Sequence, residues 1–435
     1  MRILIISYSY TPAITPRAFR WSAIAEYWAR QGDHVDVVSA WNPGLLQKEV
    51  INGVCVHRVG GAVTEALRSK LQTPGIPPNT IVDKPTAFDG LRVKQNLTSF
   101  VKWVHDQTWK KIYWPDYACL WYFPALKEVK RLLKLYNYNA IITVSHPFTG
   151  HLVGLKLKKD YPTIPWLVDI GDPFCFLEHR PPNNYQLYKK MNYNSECEIF
   201  RRADLIAVTT KTTLEKYSSL FPESAEKLCV ILPLISIPEN NTSLGSIFPK
   251  DEKEKVRLVF LGTLYKSIRS PKFLLQLFRE LLQTHVSDTL ELHFFGSIYD
   301  CAEFFEPYQK LLENKIFIHG IISHDKVYQV MKEADILINI GNNTPFELPS
   351  KLVEYAGMSK PILNILKDEN DISVDFLDPY SGVFHVFQSL SLDKQLIKLI
   401  SFIENPPKIE KAKLQQWLSS FKLETIAAQY KLGID

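Results

Sequence analysis

The chain reads as an α/β protein built on two doubly wound parallel sheets, and three observations predict it. Short apolar runs alternate with helical patterns along the whole length, the signature of βαβ units whose sheets are covered on both faces. The runs fall into two sets of six or seven, one set in each half. A chain of 435 residues also exceeds one ordinary hydrophobic core, so two domains are expected.

Taken in order, the first half places strands at Ile3–Ile6, Val35–Val38, Val54–Val59, Ala140–Val144, Trp166–Asp169, Leu205–Val208 and Cys229–Leu232. After the first of these, Thr15 is a good N-cap and Pro16 a good first helical residue, and Trp21, Ile24, Ala25 and Trp28 form the stripe that buries. The second half places strands at Val256–Leu261, Leu292–Phe295, Ile316–Ile318, Ile336–Ile340, Ile362–Ile365 and Val383–Phe387. Its first helix opens at Ser270-Pro271 and carries an apolar stripe of Leu274, Leu277, Phe278 and Leu281. Turn-rich Pro238–Ser243 and charged Lys250–Lys255 mark the boundary. The expected domains are residues 1–240 and 241–405, with a helical tail, 406–435, packing back toward the first domain; its apolar members are Leu414, Trp417, Leu418, Phe421 and Leu423. Open α/β sheets bind ligands at the carboxyl ends of their strands, so two such domains face to face would make a ligand cleft.

Composition narrows the function. Hydrophobic residues make up 46% and aromatics 12%, ample for packing and unlike a disordered chain. A net charge of +5 without a long basic run or basic helix stripe argues against a nucleic-acid partner. The six cysteines, Cys55, Cys119, Cys175, Cys197, Cys229 and Cys301, lack CxxC spacing, so no metal site is expected; they read as reduced core residues of a cytoplasmic protein. Met1–Ser7 is too short for a signal peptide, and no run approaches the roughly 18 apolar residues of a membrane span.

The most informative stretch runs from Leu348 to Leu363: a loop, a helix whose first turn carries Ser350 and Lys351, and an apolar strand. Glu354 lies three residues after Lys351 and four after Ser350, so the three share one helix face. A helix start with a cation beside it suits a phosphate, and an acid one turn further in suits vicinal sugar hydroxyls. Together they fit a nucleoside diphosphate. An ordinary amphipathic helix with solvated charges is the competing reading. Elsewhere, Arg17 and Arg20 share the first turn after the first strand and could hold a phosphate or an acceptor anion. Lys266 and Arg269 lie on the strand-to-helix loop after Gly262, where cations can stabilise a departing diphosphate. His146 and Asp172 stand just past strand ends, where they could orient a sugar or an acceptor hydroxyl. No GxGxxG follows the first strand, which weakens a dehydrogenase reading.

One segment breaks the alternation. From Phe100 to Phe123, Trp103, Trp109, Tyr113, Trp114, Tyr117, Trp121 and Tyr122 are interleaved with Lys102, Lys110 and Lys111. Such a mix suits a membrane interface or an acceptor groove; buried packing between irregular helices is the plainer reading and the favoured one.

These pieces, in this order, resemble the family 4 glycosyltransferases, in the branch serving bacterial polysaccharide and glycolipid synthesis. The likeness runs through Thr11-Pro12…Arg20-Trp21, Gly32–Val38, Asn52–Val59, Ala140–Pro147, Phe260–Tyr265…Arg269-Ser270-Pro271, His293–Gly296, His319-Gly320, Glu333–Ile340 and Pro349–Glu354. It implies the GT-B fold of two facing Rossmann-like domains. It implies retaining transfer of a sugar from a nucleotide-diphosphate sugar, with no cofactor and no metal, to a glycan or lipid-linked acceptor. Glu354 would bind the donor ribose, Ser350 and Lys351 the nucleotide and phosphates, and Arg269 the diphosphate. Gly262, Lys266 and Gly296 would complete the donor loops. The chain would work in the cytoplasm, with a peripheral contact at the inner face of the membrane.

The chain departs from that pattern at three places. Where the family has a first glutamate, Phe346 stands with Glu347 beside it; Thr263 occupies the place of an arginine; Ala13–Pro16 replaces a glycine-rich loop. An epimerase of the same architecture and a non-catalytic subunit of a polysaccharide assembly complex therefore stay open as alternatives.

Overall fold

The computed structural model describes residues 1–60, 111–178, 181–235, 246–248, 255–342, 344–349 and 351–433. The chain divides into two compact units, Met1–Leu232 with Leu423–Asp435, and Pro233–Lys422. The division thus falls at Leu232, ahead of the turn-rich stretch, and the tail is shared: residues 406–422 go with the second unit and only the last helix with the first.

The first unit holds an eight-stranded sheet: β1 (Arg2–Ser7), β2 (His34–Ala40), β3 (Lys48–Ile51), β4 (Val54–Val59), β5 (Ala140–Val144), β6 (Trp166–Asp169), β7 (Leu205–Val208) and β8 (Leu228–Val230). Its order is β3-β4-β2-β1-β5-β6-β7-β8, and every pair is parallel except β3 with β4. Among the described residues its helices are α1 (Pro16–Arg30), α2 (Tyr122–Leu135), α3 (Thr149–Asp160), α4 (Tyr185–Arg202) and α5 (Lys211–Leu220). The expected cap of α1 is present: the Thr15 side chain accepts from the Ala18 N–H at 3.1 Å. Trp21, Ile24, Ala25 and Trp28 are all buried, and each large side chain so buried is worth about 1.5–3 kcal/mol.

The second unit holds β9 (Val256–Leu261), β10 (Leu290–Phe295), β11 (Ile316–Gly320), β12 (Ile336–Ile340), β13 (Ile362–Leu366) and β14 (Val383–Phe387). All pairs are parallel, in the order β11-β10-β9-β12-β13-β14. Around them lie α6 (Lys272–Leu281), α7 (His324–Glu333), α8 (Lys351–Gly357), α9 (Ile372–Leu377), α10 (Leu392–Glu404) and α11 (Lys411–Ser419). The α6 stripe of Leu274, Leu277, Phe278 and Leu281 is buried against the sheet.

The final helix, α12 (Leu423–Leu432), belongs to the first unit. Tyr430 is fully buried, accepts from Arg20 Nη2 at 2.8 Å and donates to Asp169 Oδ1 at 2.6 Å. Lys431 pairs with Asp33 at 2.6 Å.

Candidate functional site

In a doubly wound sheet, connections leave the two central strands in opposite directions, and that opens a crevice at their carboxyl ends. In the second unit these strands are β9 and β12. Gly262 and Gly341 end them, and each accepts its place by a backbone bond to the next strand: Gly262 N–H to Phe295 O at 2.9 Å, Gly341 N–H to Ile365 O at 2.8 Å.

The two loops are joined across that point. Arg269 Nη2 donates to Asn342 Oδ1 at 2.8 Å, and Asn342 Nδ2 donates to the Glu347 carbonyl at 3.0 Å. Arg269 is held by a tight turn, its N–H bonded to Tyr265 O at 2.9 Å. Behind it, Tyr355 of α8 donates to the Leu261 carbonyl at 3.3 Å. Burial, then the nearby Glu354 carboxylate, pushes the Tyr355 phenol up, and the Arg269 cation opposes them. One turn of α8 away from the strand end, Lys351 Nζ lies 3.4 Å from Glu354 Oε2. A groove of about 400 Å³ opens beside these loops, with Lys266, Ser270, Lys272, Asn342, Lys367 and Gln388 along it.

Gly296 takes φ +121° where the loops after β9 and β10 meet, and a Cβ there would stand 2.1 Å from the Gly262 carbonyl oxygen. Only glycine allows that approach. Its role is therefore to let two strand ends close up.

The sequence-selected residues of this unit separate into groups. Arg269 and Glu347 share one hydrogen-bonded chain through Asn342, Lys351 pairs with Glu354, and Gly262 touches Gly296. Lys266 lines the groove, with its ammonium on Glu303 at 2.8 Å. Ser350 lies outside the described residues. Sequence reasoning took Asn342 only as part of the Ile340–Pro345 loop expected to position the nucleoside, and did not single out Lys272 or Lys367.

In the first unit the corresponding point lies between β1 and β5. Arg17 reaches across to Asp169 at 2.9 Å, and its guanidinium backs Gly171, where a Cβ would meet it at 2.5 Å. Asp169 also accepts from Trp21 Nε1 at 2.7 Å. Burial alone would raise this carboxyl; Arg17, Arg20, Tyr430 and Trp21 outweigh it and hold it below the ordinary aspartate value. Asp172 is half-buried, and His146 is exposed with its ring 5.7 Å from that of Tyr117.

Arg20 requires a correction. It was expected to face an acceptor, but it is 6% exposed and spends its guanidinium on Ile231 O, Leu232 O and Tyr430. A helix has one inward stripe, and residue 20 lies on it with Trp21, Ile24 and Trp28. The aromatic segment can be followed only from residue 111; its earlier part lies outside the described residues. There Tyr113 is 7% and Trp121 2% exposed, as the packing reading expects.

No family model matches this chain, and no curated protein matches it. Solved structures do. A sucrose-phosphate synthase from Thermosynechococcus elongatus superposes with TM-score 0.63 at 14% identity, over 99% of this chain and 97% of that one. An alpha,alpha-trehalose-phosphate synthase (UDP-forming) from Burkholderia xenovorans, solved with glucose-6-phosphate, gives 0.59 at 9% identity over 100% of both. A glycosyltransferase from Rickettsia africae gives 0.56 at 15% identity, over 99% and 97%. At such identities the likeness is one of fold, and with two parallel-sheet α/β domains spanning the whole chain that fold is GT-B, the architecture of glycosyltransferases.

Proposed function

We propose that the protein is a retaining glycosyltransferase that takes its sugar from a nucleotide-diphosphate donor. The observation that carries this reading is the Arg269–Asn342 link between the two loops at the β9/β12 switch point, with Lys351 and Glu354 on the adjoining helix. That is where an open α/β sheet takes a ligand.

In this reading the donor sits on the second unit. Arg269 and Lys266 stabilise the negative charge that grows on the departing diphosphate, a large share of such catalysis. Lys351 adds to them from α8, and Glu354 accepts the ribose hydroxyls. Glu347, Gly262 and Gly296 shape the loops. The acceptor sits on the first unit, near Arg17, His146 and Asp172. Its hydroxyl attacks the anomeric carbon from the face the diphosphate leaves, and a phosphate oxygen takes the proton. The C–O bond to phosphate breaks as the new glycosidic bond forms, so no protein nucleophile and no metal are required. A lipid-linked acceptor would bring the chain to the inner face of the membrane, where exposed Ile112 and Phe123, with Lys156 and Lys159 near Phe123, offer apolar and cationic contacts. Binding to anionic liposomes that is lost at high salt tests that contact, and its absence at low salt removes it.

The test of the main reading is turnover of radiolabelled UDP-, GDP- and ADP-sugars by the full chain with excess EDTA. Release of nucleoside diphosphate that falls at least about a hundredfold in Arg269→Ala, the scale of a lost charge-stabilising donor, and that also falls sharply in Glu354→Ala through loss of the ribose contact, is expected. Unchanged turnover in both variants rules the site out. An epimerised nucleotide sugar formed without acceptor would contradict transfer.

A further inference from the structure

The groove beside the β9/β12 switch point carries two cations that the diphosphate chemistry does not use. It has a volume of about 400 Å³, the size of a small-ligand pocket, and its described lining residues all belong to the second unit. Part of it is the loop after β9 and the first turns of α6, with Ser270, Lys272, Phe273 and Gln276. The rest is made by strand ends: Asn342 after β12, Lys367 after β13 and Gln388 after β14. Lys272 and Lys367 thus border one pocket from separate elements.

The charges around the groove differ in how they are matched. Lys266 holds Glu303 at 2.8 Å, and Lys351, one helix away, lies 3.4 Å from Glu354. Lys272 and Lys367 are both exposed, and among the described residues neither has a carboxylate partner. One acid stands close to the groove: Asp371, whose Oδ2 would lie 2.7 Å from a Cβ on Gly341. It caps α9, where its Oδ1 accepts from the Ser373 N–H at 2.9 Å and from Ser373 Oγ at 2.6 Å, and burial raises its carboxyl above the ordinary value. That carboxylate serves its own helix. Two ammoniums on one pocket suit an anion that comes with the ligand, because an ammonium bonds best to an ionised oxygen.

The position of the groove identifies which part of the donor that anion belongs to. Glu354, which takes the ribose, is on α8, and among the described residues none of α8 lines the groove. Arg269, which takes the diphosphate, donates to Asn342 at 2.8 Å, and Asn342 is on the groove's border. A donor laid from α8 across the Arg269–Asn342 link runs nucleoside, diphosphate, sugar, and it is the sugar that enters the groove. The surroundings there suit a hexose. The exposed amides of Gln276 and Gln388 and the Ser270 hydroxyl offer donors and acceptors to ring hydroxyls, and half-buried Phe273 offers an apolar wall to a C–H face. Lys272 and Lys367 therefore meet the sugar and not the phosphates.

We infer that the sugar transferred is itself anionic, a hexuronate whose C6 carboxylate is received by Lys272 and Lys367. This rests on the glycosyltransferase reading and deepens it by naming the class of donor. A neutral hexose would leave both ammoniums to water, whereas a hexuronate brings the one group that pairs with them. Both lysines are exposed, so the preference they confer is moderate and screened by salt.

The test is titration calorimetry on the full chain with nucleotide sugars in pairs that differ only at C6: glucose with glucuronate, galactose with galacturonate, and mannose with mannuronate, each carried on UDP, GDP and ADP. In at least one pair the uronate is expected to bind about tenfold more tightly than its neutral partner at low salt, the scale of two exposed charge pairs, and the difference is expected to shrink as salt is raised. Lys272→Gln and Lys367→Gln are each expected to reduce that ratio, and the double variant to bring it close to one; Lys367→Glu is expected to reverse it. Neither lysine is part of the core, so these variants leave the packing of the sheet intact. Neutral sugars bound as tightly as uronates, or more tightly, in every pair would overturn the inference, as would a uronate preference that survives the double substitution. Either result leaves the glycosyltransferase reading standing. Binding of none of the nucleotide sugars, with no binding of UDP, GDP or ADP themselves, overturns both.

Discussion

Replacing Tyr430 with phenylalanine removes one oxygen from a buried ionic network and leaves the ring in place. That oxygen donates to Asp169 Oδ1 at 2.6 Å and accepts from Arg20 Nη2 at 2.8 Å, in a residue that is 0% exposed. It gives Asp169 Oδ1 its one hydrogen bond among the described residues, and the carboxylate is 1% exposed. The ring keeps its contact with Trp21 at 4.8 Å, so little packing is lost. Hydrogen bonds to charged groups are worth about 1.5–3 kcal/mol each, and a buried charge left short of a partner costs on that scale, so about 3–4 kcal/mol is expected. For a unit of this size that lowers Tm by about 6–15 °C. The loss should depend on pH. Asp169 is held below its ordinary value of 3.8, so its ionised form contributes stability above that pH, and the contribution fades as the pH falls through the native value. The gap between wild type and Tyr430→Phe should therefore be full at neutral pH and narrow below about 4. Thermal unfolding followed by circular dichroism, with amide exchange of residues 423–432, reads both. A Tm within about 1 °C of wild type at neutral pH would refute the reasoning, since such a shift amounts to only a few tenths of a kcal/mol.

Two further perturbations follow. Gly296→Ala places a Cβ 2.1 Å from the Gly262 carbonyl at a φ of +121°, so the loops after β9 and β10 must part; a stability loss of about 1–3 kcal/mol is expected in urea unfolding, together with weakened nucleotide binding, and a variant equal to wild type in both would count against the close approach. His293 is 3% exposed, with Nδ1 3.0 Å from His319 Nε2 and Nε2 3.3 Å from Glu291. Burial first, then His319 and Arg257, pushes it down to about 3. The unfolded chain takes up that proton near the ordinary value of 6.5 while the folded chain refuses it, so stability should fall as pH drops from 6.5 toward 3. His293→Gln should flatten that slope in a pH series of urea midpoints; an unchanged slope would show that the histidine takes up its proton as readily in the fold as in the unfolded chain.

The central strands were legible because they bury on both faces and so read as unbroken apolar runs. β12, Ile336–Ile340, is buried at every position and was expected at those bounds. β3 was not foreseen. It is a short antiparallel edge whose residues alternate between exposed and half-buried, so no apolar run betrays it. Its signal lay in the turn: Asn52 and Gly53 take φ of +48° and +88°, the pairing that favours a tight hairpin. Arg20 was misjudged because a charged residue on an inward stripe can be recognised only when its partners are known, and these come from residues 231, 232 and 430. Asn342 carries no motif. It matters because strand order sets β12 beside β9, and pairing order is not written in local sequence. Arg269, Lys351 and Glu354 could be picked out as candidates because they sit at strand or helix ends that the apolar pattern marks.

The account stands on the loops at the β9/β12 switch point binding a nucleoside diphosphate. Titration calorimetry of UDP, GDP and ADP into the full chain measures that directly. One of the three is predicted to bind, and Arg269→Ala and Glu354→Ala are each predicted to weaken it by about ten- to a hundredfold, the equivalent of roughly 1.4–3 kcal/mol. Binding of none, or binding by both variants as tightly as by the wild type, would contradict it.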